Sequence, residues 1–235
     1  MLTISNLSIF YGQSQILNDV SLKVPTGQAV CVMGRNGVGK TTLIKSIMGL
    51  LPAKVGQIVY DDIDITNKAP HERAQIGIGY VPQGRGIFPY LTVFENLMIG
   101  FEAVPGINKA DQDNAIDEVY GIFPVLKEMR SRQAGALSGG QKQQLAIGRT
   151  LVRKPTLVLL DEPTEGIQPN IVEQIEEVIH DLRVDRGISV LLIEQFLDFA
   201  LGVADYCYVL DNGLIVSEGN ADDLSQDVIS EYLSV

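Results

Sequence analysis

Eight consecutive residues, Gly34-Arg-Asn-Gly-Val-Gly-Lys-Thr41, bring glycines, one ammonium and one hydroxyl together in the order G-x-x-x-x-G-K-T. Glycines at 34, 37 and 39 allow backbone N–H groups to turn inward around an anion without a side chain in the way. Arg35, Asn36 and Val38 contribute mainly backbone. Lys40 adds a full positive charge, and Thr41 offers a hydroxyl of the kind that ligates Mg²⁺. An apolar run, Ala29 to Met33, precedes the loop, and Thr42 to Leu51 follow with helical spacing before Pro52. Strand, glycine loop and helix start form the setting in which such a pattern binds polyphosphate. The nucleotide expected is ATP with Mg²⁺, and Thr42 is counted with the residues that hold it.

A second cluster is acidic. Asp161 ends the apolar run Leu157-Val-Leu-Leu160, where an unpaired carboxylate is a poor structural choice, so it is assigned to Mg²⁺. Glu162 follows as the candidate to orient and deprotonate the attacking water. Gln83, delivered at a strand end by Pro82, can reach metal and water with its amide oxygen. Ser138-Gly-Gly-Gln141 reads as a capped helix start, which binds anions through its free N–H groups.

The elements needed to position these groups follow from hydrophobic spacing. Leu2 to Phe10 and Ile16 to Val24 read as antiparallel strands, with further strands at Gly56 to Tyr60 and Ile76 to Val81. Residues 85–154 change character: Thr92-x-x-Glu95 opens a helix to about Gly100, 104–108 form a loop, and Lys109 to Tyr120 is helical. Thr156 to Leu160 and Ile188 to Ile193 are buried strands flanking a helical stripe from Ile171 to Leu182. Asn212-Gly213 marks a hairpin. The expected fold is α/β, with residues 1–84 and 155–235 forming a core with an N-terminal antiparallel β-subdomain and 85–154 an inserted α-helical subdomain.

A chain of 235 residues supports one such domain, and its net charge of −11 argues against a nucleic-acid surface. No apolar run reaches the length of a membrane span, and the N-terminus lacks signal-peptide character. Cys31 and Cys207 sit in apolar strands and are read as buried free thiols.

These segments resemble the nucleotide-binding subunits of ABC transporters, over essentially the whole chain; Leu137-Ser-Gly-Gly-Gln141 matches that family's signature without a substitution. The resemblance implies a P-loop NTPase fold and ATP hydrolysis by a head-to-tail dimer, either of two copies or with a sister ATPase. In it Ser138, Gly139, Gly140 and Gln141 of one subunit would close on the γ-phosphate held by the other. It implies Tyr11 as the adenine-stacking aromatic, transmembrane permease subunits as partners, an extracytoplasmic solute-binding protein acting through them, and a place on the cytoplasmic face of the membrane. Most of the family carries a switch His after the strand that follows the catalytic carboxylate; here that position is Gln195.

Gln195, together with Asp161-Glu-Pro-Thr-Glu-Gly-Ile-Gln-Pro169, resembles the second ATPase of the branched-chain amino acid and urea importer group. Val81 to Thr92 and Ile193 to Phe199 lean toward the urea-importing branch, so import of urea or a short-chain amide is expected, with branched-chain amino acids as the alternative. A different class, a soluble ABC-type ATPase of an assembly complex, shares the same motifs. Phe88 to Phe94 is apolar for a surface loop and fits either a membrane-subunit contact or simple packing.

Overall fold

The computed structural model describes residues 1–103 and 106–224; the first two residues of the loop expected at 104–108 lie outside them. Strands β1 (Leu2–Tyr11) and β2 (Ser14–Val24) form an antiparallel hairpin, after which β3 (Ala29–Met33) runs into the glycine loop and helix α1 (Lys40–Ile47). Next come β4 (Val55–Tyr60), β5 (Ile63–Asp64), α2 (Pro70–Gln75) and β6 (Ile78–Val81). The segment between β6 and the next strand carries α3 (Val93–Ile99), α4 (Lys109–Ile122), α5 (Pro124–Glu128) and α6 (Gly139–Leu151). The chain then alternates: β7 (Leu157–Asp161), α7 (Pro169–Val184), β8 (Ser189–Glu194), α8 (Leu197–Val203), β9 (Tyr206–Asp211) and β10 (Leu214–Asn220).

Two sheets result. One is antiparallel in the order β2-β1-β4-β5; the other runs β10-β9-β3-β8-β7-β6 and is parallel except for its β9–β10 hairpin. The central strands β3, β7 and β8 are buried along their whole length, as expected when both faces are covered. One core packs α1 and the antiparallel sheet against one face of the parallel sheet, joining Val30, Leu43 and Leu159. The other packs α6, α7 and α8 against the opposite face, joining Cys31, Leu145, Ile175 and Phe199. Parallel strands in the order β3-β8-β7 put three strand ends, carrying Met33, Glu194 and Asp161, side by side. That alignment is what assembles the site.

The structure corrects three sequence expectations. Helix α1 stops at Ile47, not Leu51, because Gly49 turns left-handed (φ 74) and the buried Arg73 guanidinium takes the carbonyls of Ser46 and Ile47 at 2.8 and 2.7 Å. Strand β6 starts at Ile78 rather than Ile76, because α2 precedes it; Pro70 occupies its first turn and Glu72 accepts a bond from Ala69 N–H at 2.8 Å. Residues Ile171 and Val172 lie on α7 but are only half-buried, so the core stripe runs from Ile175 to Leu182. The capping box at Thr92 and Glu95 is present, as is the Asn212-Gly213 turn with both residues at positive φ. Cys31 and Cys207 are free, buried and directly paired across β3 and β9. Burial raises the Cys31 thiol pKa, and the neighbouring Cys207 adds to the rise. No helix among the described residues is long and apolar enough to cross a membrane.

Candidate functional site

The glycine loop folds as its residues require. Gly37 and Gly39 take φ of 86° and 114°, and a Cβ on Gly39 would meet the Leu17 side chain at 2.7 Å. The turn wraps back on Lys40, whose Nζ donates to the carbonyls of Gly34 and Arg35 at 2.8 and 3.0 Å. The same ammonium lies 3.2 Å from Glu162 Oε1. Val38 sits where its carbonyl accepts a bond from Gly213 N–H, so the loop is fastened to the turn between β9, the neighbour of β3, and β10.

Asp161 and Thr41 meet across the sheet: the Thr41 hydroxyl donates to Asp161 Oδ1 at 3.2 Å. Tyr80 on β6 donates to the other carboxylate oxygen at 3.3 Å. Burial raises the Asp161 pKa, while bonds from Thr41, the Gln83 backbone and Tyr80 pull it down and the Glu162 charge adds to the rise. A buried carboxylate touching a hydroxyl is a hard oxygen pair for Mg²⁺, which takes few protein ligands and fills its shell with phosphate and water. Among the described residues there is no cluster of three or more His, Cys, Asp and Glu that could hold a metal ion.

Glu162 follows at φ 48, a left-handed conformation unusual for a residue with a side chain. Its N–H donates to Ile193 O at 3.0 Å, which holds the turn onto β8. Its second carboxylate oxygen accepts from the Gln83 amide nitrogen at 3.0 Å. Gln83 also donates to Glu165 at 3.2 Å. The amide group that the sequence assigned to metal through its oxygen is thus tied to two carboxylates through its nitrogen. Tyr11, 48% exposed, lines the same 410 Å³ cavity as Asn36, Gly37, Gly39, Lys40, Thr41, Thr42, Gln83 and Glu162.

Ser138 to Gln141 stand elsewhere. Ser138 caps α6, its hydroxyl accepting from Gln141 N–H at 3.3 Å while the Gln141 side chain accepts from Ser138 N–H at 3.0 Å. These residues line a separate 530 Å³ cavity with Gly139, Gly140 and Gly166, and none of them borders the cavity of the glycine loop. Gln195 is half-buried just beyond β8, and its side chain lines neither cavity.

Sequence reasoning missed Tyr80 and Glu194. Glu194 is fully buried at the end of β8 and accepts bonds from Thr164 N–H and hydroxyl at 3.2 and 2.7 Å, and from Gln195 and Phe196 N–H groups at 3.0 and 3.4 Å. Burial raises its pKa against all of those bonds. It carried the signal that marked Asp161, an acid closing an apolar run. Tyr80 carried none, since a Tyr in a strand is ordinary.

The arrangement joins a glycine loop at a helix start, a hydroxyl–carboxylate pair of hard oxygens and a buried carboxylate held by Lys40 and Gln83. The family model for ABC transporters matches residues 17–165. The chain is 43% identical over 216 residues to the high-affinity branched-chain amino acid transport ATP-binding protein BraG of Pseudomonas aeruginosa, covering 92% of this chain and 91% of that one. It is 39% identical over 224 residues to a probable branched-chain amino acid transport ATP-binding protein, LivF, of Archaeoglobus fulgidus, covering 95% and 94%. Among solved structures, the ADP conformation of MJ1267, an ATP-binding cassette of an ABC transporter, superposes with a TM-score of 0.86 at 33% identity over 98% of this chain and 95% of that one. The dimeric bacterial ABC transporter cassette MJ0796 does so with 0.85 at 25% identity, over 94% and 99%. The chain therefore belongs to the ABC transporter family, as an ATP-binding cassette that hydrolyses ATP.

Proposed function

We propose that this ATPase powers the import of branched-chain amino acids. The observation that carries the reading is the 43% identity to BraG over nine-tenths of both chains, with LivF alongside it. The expectation of urea or a short-chain amide rested on segments a few residues wide, and the whole-chain likeness favours the alternative.

In this reading Gly34 to Thr42 bind the polyphosphate, with Lys40 leaving Glu162 for the β- and γ-phosphates. Thr41 and Asp161 would hold Mg²⁺, and Gln83 could join through its amide oxygen. The ion would neutralise charge on the phosphate oxygens. Glu162, freed from Lys40, accepts the proton of the attacking water. Tyr11 stacks on adenine. The separation of Ser138–Gln141 from the loop cavity supports a composite site, in which each chain lends its α6 start to a second subunit. Permease subunits would dock over Phe88 and Tyr90, which are 45% and 87% exposed on a segment pinned by the buried Asn96.

Reconstitution with membrane and solute-binding subunits tests the reading. Leucine should stimulate ATP hydrolysis and urea should not; stimulation by urea alone would overturn it.

A further inference from the structure

Glu194 closes β8 with a fully buried side chain, and its two carboxylate oxygens are bonded to different segments. One oxygen accepts from the N–H groups of Gln195 and Phe196 at 3.0 and 3.4 Å, which pins the carboxylate to its own turn at the start of α8. The other accepts from the Thr164 N–H and hydroxyl at 3.2 and 2.7 Å, across 30 residues of chain. A buried carboxylate is costly unless both oxygens are bonded. A buried charge is also a poor device for stability, since apolar side chains of similar volume often serve as well. What an apolar side chain cannot do is hold two turns together through directed hydrogen bonds.

Thr164 belongs to the turn that carries Glu162. Glu165 N–H closes that turn on Glu162 O at 3.2 Å, with Glu162 held at φ 48. The turn meets β8 at two consecutive residues: Glu162 N–H donates to Ile193 O at 3.0 Å, and Thr164 donates twice to Glu194. The Ile193 bond fixes where the turn begins. The Glu194 bonds fix its far side, and with it the direction in which the Glu162 side chain leaves the strand end.

We propose that Glu194 is a positioning residue for ATP hydrolysis, holding the Glu162 turn through Thr164 so that the Glu162 carboxylate keeps its aim at the attacking water. The inference rests on the proposed role of Glu162. It gives Glu194 no part in binding nucleotide, since Thr164, Gln195 and Phe196 lie outside the glycine loop. The device requires two acceptor oxygens. Glutamine has the same shape but one acceptor oxygen, so its NH₂ group must face N–H donors on one side, and either the turn or the side chain itself comes loose.

Phosphate release under single-turnover conditions and ATP titration test this in Glu194→Gln, Glu162→Gln and the double variant. Glu194→Gln alone should lower the hydrolysis rate about tenfold and leave ATP affinity within roughly twofold of wild type, the split expected when only the reacting geometry is lost. In the Glu162→Gln background the same substitution should change the rate by less than roughly twofold, because a turn without its base has nothing left to aim. Thr164→Val removes one bond from the opposite end and should show the same pattern with a loss of about threefold, which keeps the test open if Glu194→Gln folds poorly. An unchanged rate in both Glu194→Gln and Thr164→Val would overturn the proposal, as would weakened ATP binding at an unchanged rate. Equal losses with and without Glu162, as a merely structural group would give, would overturn the bridge and leave the role of Glu162 standing. Normal turnover in Glu162→Gln alone would overturn that role and the bridge with it.

Discussion

The Lys40 ammonium stands 3.2 Å from a carboxylate oxygen of Glu162, with the two side chains only 4% and 6% exposed. On the proposed mechanism the pair occupies both groups that are needed elsewhere, the cation at phosphate and the carboxylate at water. Nucleotide phosphates must therefore compete with Glu162 for Lys40. Glu162→Gln weakens that competition, so ATP affinity should rise by roughly threefold or more, while hydrolysis falls on the order of a hundredfold. Nucleotide titration and phosphate release measure both; normal turnover would remove Glu162 from the role of base. Lys40→Ala should abolish ATP binding and cost about 1–3 kcal/mol of stability, because it leaves a buried carboxylate unpaired.

Gln195 stands where a titrating side chain is common in this family, and an amide carries no proton charge near neutral pH. The rate of ATP hydrolysis should show no inflection that depends on residue 195. Gln195→His should introduce one near the ordinary histidine range. A neutral-pH inflection in the wild type that Gln195→Ala abolishes would contradict this.

Glu194 predicts a pH dependence of stability. Burial raises its folded pKa above the ordinary value of 4.5 despite bonds from Thr164, Gln195 and Phe196. Its contribution is therefore fully present below the unfolded pKa and is lost as pH rises through the folded one. Compared with Glu194→Gln, which does not titrate, the wild type should lose relative stability as pH rises from the acid side. Urea unfolding of both proteins at several pH values measures the difference. A wild type that gains on the variant as pH rises would mean the hydrogen bonds outweigh burial.

Tyr11 offers an exposed ring on the wall of the nucleotide cavity. Tyr11→Ala should weaken ATP by about 1–3 kcal/mol, the range for a base stacked on an aromatic ring, and Tyr11→Phe should leave it nearly unchanged. If ATP and tripolyphosphate lose affinity equally in Tyr11→Ala, the ring does not hold adenine.

Much of the candidate site was legible because its parts are local. Ser138 with Gln141 and Thr92 with Glu95 cap their helices through bonds that span three residues. The loop glycines announce backbone angles that other residues resist, and the buried strands announce themselves by unbroken apolar runs. The solute branch was not legible in the same way: Val81 to Thr92 and Ile193 to Phe199 lean toward urea, while the whole-chain likeness favours the branched-chain alternative. Those segments are a few residues wide, too short to set against the likeness of the entire chain.

The sequence by itself determined the loop, the caps, the strand–helix alternation and the chemical character of Lys40, Thr41, Asp161 and Glu162, since each depends on residue type and short-range spacing. Only the tertiary structure decided which of these groups touch. Thr41 and Asp161 are 120 residues apart in sequence, and Gln83 and Glu162 are 79 apart. Their contacts exist because β3, β8, β7 and β6 lie side by side and in parallel, an order of pairing that spacing along the chain does not encode. The same packing placed Ser138 away from the loop it resembles in chemistry.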